Sequence, residues 1–198
     1  GKLVLAASPA DLPHLERLLD KGKTNGVEGL EIISRDRICR LEPLVHAHVG
    51  LWVPSTGIMD THGVMKALLN EAESRGALAV YNSEVNGLEF ENGGFLLAFK
   101  DQDYRLRARI VVNAAGLWSD RIASMAGIDP EAAGYKLYWN KGEYYKTSRY
   151  RDMSHLIYPV PHPQGLTLGI HSVINLSGEV SFGPNSYSCD KLDYSIGG

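Results

Sequence analysis

Two places in this 198-residue chain combine residue types that can do chemistry. The first is His171, which follows Leu168-Gly169-Ile170 in a strand-like run. A strand glycine admits close approach of another molecule, and alternation puts Ile170 and His171 on opposite sides. A neutral imidazole there suits a base, because its reference pKa of roughly 6.5 lies near working pH. A histidine that only packs in its sheet is the competing reading. The second place is Ala108 to Asp120, where the β-branched run Ile110-Val111-Val112 stops at Asn113-Ala114-Ala115-Gly116 and a helical pattern begins at Ser119. A buried parallel strand, a small-residue turn and a helix N-terminus form a place where a phosphate could sit. Ser119 and Asp120 are the expected caps, and Gly127 the stop.

The elements that must position these residues follow in order. Lys2 to Ala7 reads as a strand. Ser8, Pro9 and Asp11 open a helix with an apolar stripe of Leu12, Leu15, Leu18 and Leu19 that ends near Asn25-Gly26. Leu30 to Ile33 is a short strand, and Ser34 caps a helix through Leu41 that Pro43 stops. A strand at Gly50 to Val53 delivers the chain to Pro54-Ser55-Thr56-Gly57-Ile58-Met59-Asp60. The helix after it shows Val64, Leu68, Leu69 and Ala72 on one stripe. Ala77 to Tyr81 is expected as a buried strand. A meander then runs from Gly87 through a hairpin at Asn92-Gly93 to the strand at Tyr104 to Val112. That order matches the second half of a dinucleotide-binding sheet. Beyond it the texture is β, with strands expected at Lys136 to Lys146, His155 to Val160, Leu166 to Ser172 and Glu179 to Gly183. Turns are expected at Pro161 to Gly165 and Asn175 to Gly178. These strands form a second, mostly antiparallel sheet that Leu3 to Ala7 and Leu51 to Val53 join.

Composition excludes several classes. The formal net charge is -3 with dispersed Lys and Arg, against a nucleic-acid surface. No run approaches the roughly 18 apolar residues of a membrane-spanning helix. The expectation is a cytoplasmic protein, with peripheral membrane attachment of the full-length chain left open. Cys39 and Cys189 are too few for a disulfide scaffold or zinc site, so no metal is expected; one long-range bridge between them stays open.

The Val111 to Asp120 block, V-V-N-A-A-G-L-W-S-D, resembles the second flavin-contacting strand of FAD-dependent oxidoreductases of the D-amino acid oxidase type. Lys141-Gly142-Glu143-Tyr144-Tyr145, Leu156 to Pro161, Leu168 to His171 and Phe182 to Asn185 are similar, in the same order, to the L-2-hydroxyglutarate dehydrogenase group of that superfamily. The block Pro54 to Asp60 is also similar to glycerol-3-phosphate dehydrogenases, and His162 departs from the pattern. The fold class implied is mixed α/β: a partial FAD-binding Rossmann-like domain at 61–130, interleaved with an antiparallel-sheet substrate domain at 1–60 and 131–198. A G-x-G-x-x-G turn, which such enzymes need for the pyrophosphate, is not in the sequence. The expectation is therefore a middle fragment of a longer enzyme, or a chain that lost its first domain, inactive alone and prone to self-association through its exposed sheet edge.

The resemblance implies FAD as cofactor, a small 2-hydroxy acid as substrate and a separate electron acceptor, whether oxygen, a quinone or another. His171 is then the base. Lys141, Tyr145 and Tyr158, with Thr56, are candidates to hold substrate carboxylates, since a cation and phenols can bind acid oxygens while their apolar bodies line a pocket. Each also has an ordinary structural reading, and Asp60 reads equally as a helix cap. Val85 resembles the residue whose backbone meets the adenine; Ala114, Ala115, Gly116 and Trp118 resemble the pyrophosphate and ribityl side. Oxidation of glycerol 3-phosphate or of an amine, and a stand-alone non-enzymatic binding module, are the alternatives.

Overall fold

Continuous apolar runs at the start of the chain build a sheet that is covered on both faces. A computed structural model describes residues 1–161 and 169–196. In chain order the elements are β1 (Lys2–Ala6), α1 (Leu12–Thr24), β2 (Glu31–Ser34), α2 (Arg35–Leu41), β3 (Val49–Val53), α3 (Thr61–Ser74), β4 (Val85–Glu91), β5 (Gly94–Phe99), β6 (Arg105–Ala108), α4 (Ser119–Met125), β7 (Trp139–Lys141), β8 (Tyr145–Thr147), β9 (Leu156–Pro159), β10 (His171–Ile174), β11 (Val180–Gly183) and β12 (Tyr187–Cys189). They fall into two units, Gly1–Val64 with Asn140–Gly198, and Met65–Trp139.

In the first unit a four-stranded sheet has the order β2-β3-β1-β9. Strand β1 is antiparallel to β3, with Val4 opposite Leu51, and parallel to β9, with Val4 opposite Tyr158. Alternation splits β1 between two cores. Leu3 packs with Ile33, Ile38 and Ala47 on the α2 side; Val4 and Ala6 pack with Leu15 and Leu51 on the α1 side. Burial on both faces explains why Leu3 to Ala6 has no polar alternation. At the head of α1, Asp11 Oδ2 accepts from both the amide and the hydroxyl of Ser8, each at 3.0 Å. These bonds hold the Asp11 carboxyl below its ordinary value.

The remaining strands do not make one second sheet. β10, β11 and β8 form a separate three-stranded sheet, and among the described residues β7 pairs with β12 alone. The expected strand at Lys136 to Lys146 is interrupted: β7 ends at Lys141 and β8 begins at Tyr145, and at Gly142 between them a Cβ would stand 2.6 Å from Pro184. Of the expected strand at Leu166 to Ser172, His171 and Ser172 fall in β10, and Gly169 and Ile170 precede it outside the strand. His162 to Leu168, and with them most of the expected turn at 161–165, lie outside the described residues.

The second unit holds the antiparallel meander β4-β5-β6. Its hairpin turns at Asn92 and Gly93, with φ of 49° and 75°, the left-handed pair that an Asn-Gly loop supplies. Two expected strands are not formed. Ala77 to Tyr81 and Ile110 to Val112 are irregular, with Leu78 89% and Val112 83% exposed. A parallel strand needs hydrogen-bonding neighbours on its edges, and among the described residues none runs beside either segment. The apolar stripe of α3 is likewise uncovered at Val64 and Leu68. Helix α4 is capped at Trp118 without a side-chain bond, so Ser119 and Asp120 lie inside it, and Gly127, at φ 79°, follows its end. Among the described residues no helix is long and apolar enough to cross a membrane.

Candidate active site

Tyr158 and His171 come together because β9 and β10 lie side by side, with the Ile157 amide donating to Ser172 Oγ at 2.7 Å. The two rings stack with centroids 4.1 Å apart and planes 14° from parallel. His171 is 5% exposed. Its Nδ1 lies 3.0 Å from the Gly169 carbonyl oxygen, which only accepts, so Nδ1 carries a proton, and in the neutral ring Nε2 is then the nitrogen with the free lone pair. Gly169 itself adopts φ 72° in close contact with Pro159, which seats that carbonyl. The Tyr158 phenol is held above its ordinary value, by desolvation first and then by the nearby Tyr144. The Lys2 ammonium lies 5.1 Å from the centre of the same ring.

Nε2 faces Tyr144, which residue-by-residue reading of the sequence passed over in favour of Tyr145. The Tyr144 phenol oxygen is 3.4 Å from Nε2, with the rings edge to face at 5.9 Å. Tyr145, its neighbour at the start of β8, is 69% exposed and pairs across to Phe182. The sequence signal for Tyr144 is Gly183, which lies opposite His171 in the β10–β11 register. A Cβ at Gly183 would stand 2.8 Å from the Tyr144 ring, and its φ of 155° also favours glycine. The loop carrying Tyr144 is tied down by its neighbour. The Glu143 amide donates to Asn185 Oδ1 at 2.7 Å, and Asn185 Nδ2 and the Tyr187 hydroxyl each donate to the Glu143 carboxylate at 2.9 Å. The K-G-E-Y-Y and F-G-P-N segments are thus hydrogen-bonded partners. Desolvation, then the bond to Glu143, pushes the Tyr187 phenol up to about 12.

The other candidates lie apart from this pair. The Lys141 ammonium is bonded to the Ser195 carbonyl oxygen, 3.9 Å from Asp193 Oδ2 and 5.9 Å from the Tyr187 ring centre. Thr56 lines a pocket of about 110 Å³ with Leu156 of β9 and Ile174 of β10, the strands that carry Tyr158 and His171. Asp60 does cap α3, accepting from the Gly63 amide at 3.0 Å. Both cysteines are free.

The five cofactor candidates belong to the second unit. Val85 opens β4 opposite Phe99, just before a bulge. Ala114 is exposed, Ala115 half-buried, and a Cβ on Gly116, at φ 56°, would meet nothing within 4 Å. Asn113 braces the turn, accepting from the Ala115 amide at 3.3 Å and donating to the Ser119 carbonyl at 2.8 Å. Trp118 is 47% exposed. An open, braced turn of small residues fits a cofactor that must approach the backbone closely.

The chain is a mixed α/β protein in which the first unit carries the buried imidazole and the second an antiparallel meander and an open small-residue turn. The chain belongs to the FAD dependent oxidoreductase family, whose model matches residues 1–195. It is 32% identical over 189 residues to L-2-hydroxyglutarate dehydrogenase of Escherichia coli (strain K12), covering 94% of this chain and 43% of that protein. To the human mitochondrial L-2-hydroxyglutarate dehydrogenase it is 29% identical over 198 residues, covering 94% and 42%. The chain thus spans less than half the length of these relatives. Among solved structures, it superposes with a TM-score of 0.79 at 21% identity on dithionite-reduced, FAD-bound L-alpha-glycerophosphate oxidase from Mycoplasma pneumoniae, covering 94% of this chain and 49% of that one. With glycine oxidase from Geobacillus kaustophilus the TM-score is 0.77 at 19% identity, covering 100% and 50%. At those identities the likeness concerns the fold alone.

Proposed function

We propose that this chain supplies the substrate-side base and part of the flavin-binding surface of an FAD-dependent enzyme that oxidises a small 2-hydroxy acid, with L-2-hydroxyglutarate as the substrate to test first. The observation that carries the reading is His171, a buried imidazole whose Nδ1 lies 3.0 Å from the Gly169 carbonyl oxygen, an arrangement that in the neutral ring keeps the proton on Nδ1 and leaves Nε2 to accept. The substrate follows the curated relatives, named for L-2-hydroxyglutarate. Oxidation at a hydroxyl-bearing carbon removes a hydride from carbon and a proton from oxygen. FAD, when bound, accepts the hydride. The proton ends on His171, and the stacked Tyr158 ring keeps the imidazole from turning.

The remaining roles follow chemistry. Ala114, Ala115, Gly116 and Trp118, with the Val85 backbone, would hold the cofactor. Lys141 already meets a carboxylate, that of Asp193, so a substrate carboxylate takes its place in this reading. Tyr145 and Thr56 supply further donors. The test is a substrate panel on the flavin-loaded full-length protein without oxygen. L-2-hydroxyglutarate should bleach the flavin while glycerol 3-phosphate and sarcosine do not; bleaching by either of those, or by no 2-hydroxy acid, contradicts the proposal.

A further inference from the structure

His171 poses a problem for any substrate: its imidazole is 5% exposed, one face is covered by Tyr158, and its basic Nε2 points at a phenol. Tyr144 is 46% exposed, so the same side chain that closes off Nε2 also reaches the outside. In the neutral ring, with the proton on Nδ1 toward Gly169, Nε2 can only accept, and the Tyr144 hydroxyl is therefore the donor across the 3.4 Å gap. The phenol cannot swing freely. Its ring lies against the backbone of Gly183, and the neighbouring Glu143 is pinned by Asn185 and Tyr187.

We propose that Tyr144 is a catalytic residue, the outer member of a two-residue proton path from the substrate hydroxyl to His171. This rests on the reading of His171 as the base. The substrate O–H bond breaks as its proton passes to the Tyr144 oxygen, and the phenol's own proton passes to Nε2. Tyr144 ends neutral and His171 ends as imidazolium. The electron pair left on the substrate oxygen closes the carbonyl as the Cα–H pair departs as hydride to the flavin. A neutral phenol serves this step because each proton moves only one hydrogen-bond length and no tyrosinate has to persist.

Tyr144→Phe, Tyr144→Gln and His171→Gln in the flavin-loaded full-length protein separate the possibilities. Anaerobic flavin reduction by L-2-hydroxyglutarate is followed beside ¹⁵N spectra of selectively labelled histidine, which need no substrate. Tyr144→Phe should slow reduction about 10²- to 10³-fold with flavin content unchanged, and should move the Nε2 signal toward that of an unbonded ring nitrogen. Tyr144→Gln keeps a donor for Nε2 but cannot pass a proton, so it should be equally slow with Nε2 still bonded. Reduction within about threefold of the parent in either Tyr144 variant, or an Nε2 signal that Tyr144→Phe leaves in place, overturns the path. If His171→Gln is slow while Tyr144→Phe is not, the substrate meets His171 directly and the base assignment stands. If His171→Gln is also fast, the base assignment fails.

Discussion

The phenol of Tyr158 and the imidazole of His171 lie face to face, 4.1 Å between centroids, joining two strands of different sheets. A stacked pair of this kind contributes about 1 kcal/mol beyond the area it buries. Tyr158→Phe keeps the ring and should leave stability within about 0.5 kcal/mol. Tyr158→Leu should lose roughly 1 kcal/mol and remove the ring-current displacement of the His171 ring protons in the NMR spectrum. An unchanged His171 shift in Tyr158→Leu would show that the stack is not populated in solution.

Gly183 gives the second prediction. Gly183→Ala places a methyl 2.5 Å from the Glu143 carbonyl oxygen and 2.8 Å from the Tyr144 ring, at a φ that L-residues rarely adopt. The cost should be about 2 kcal/mol in urea unfolding, with loss of the Tyr144–His171 contact. Retention of both would mean the loop relaxes without strain.

Glu42 is a buried carboxylate outside the active site. Its Oε1 accepts from the Ser154 amide at 2.8 Å and hydroxyl at 2.9 Å, and from the His155 amide and Nδ1 at 2.8 Å each. It fastens the approach to β9, and thus Tyr158, to the end of α2. Glu42→Ala strands those donors and should cost roughly 3 kcal/mol, Glu42→Gln less. Equal losses in the two variants would mean that packing, not hydrogen bonding, sets the effect.

The raised phenols give a pH dependence. An ordinary tyrosine ionises near 10, whereas Tyr187 is pushed up to about 12 and Tyr158 is also raised. Above about pH 10 the unfolded chain sheds these protons and the folded chain keeps them, so stability is full below that pH and falls toward about pH 12. Urea midpoints at about pH 9 and about pH 11 should differ, and Tyr187→Phe should shrink the difference. An identical fall in the variant would remove Tyr187 from the account.

Much of this was readable from residue order, and the failures have physical causes. Leu3 to Ala6 was legible because its burial on both faces leaves no polar alternation, and the Asn92-Gly93 hairpin and the stop at Gly127 because their left-handed backbone is a local preference of Asn and Gly. Ile110 to Val112 was not: a β-branched run forecasts a strand only when a partner runs beside it, and the described residues supply none. The segment is left exposed instead. His171 and Tyr158 were legible as candidates, but the choice between Tyr144 and Tyr145 depends on which way the chain faces as it enters β8. That is decided by Gly183, nearly forty residues away, and not by the tyrosine pair itself.

The exposed side chains of Leu78, Val80, Ile110 and Val112 also predict behaviour. Apolar surface of this kind promotes association. The 198-residue chain should scatter light as an oligomer and bind a hydrophobic dye, and Ile110→Lys with Val112→Lys should reduce both. A monomer with no dye binding would mean that this surface is covered in solution.

The most direct test of the central claim is single-turnover flavin reduction by L-2-hydroxyglutarate in the full-length protein, parent against His171→Gln. The account predicts a rate lower by roughly 10²- to 10⁴-fold in the variant, with flavin content and spectrum intact. Equal rates in the two proteins would contradict it, since no base could then reside at His171.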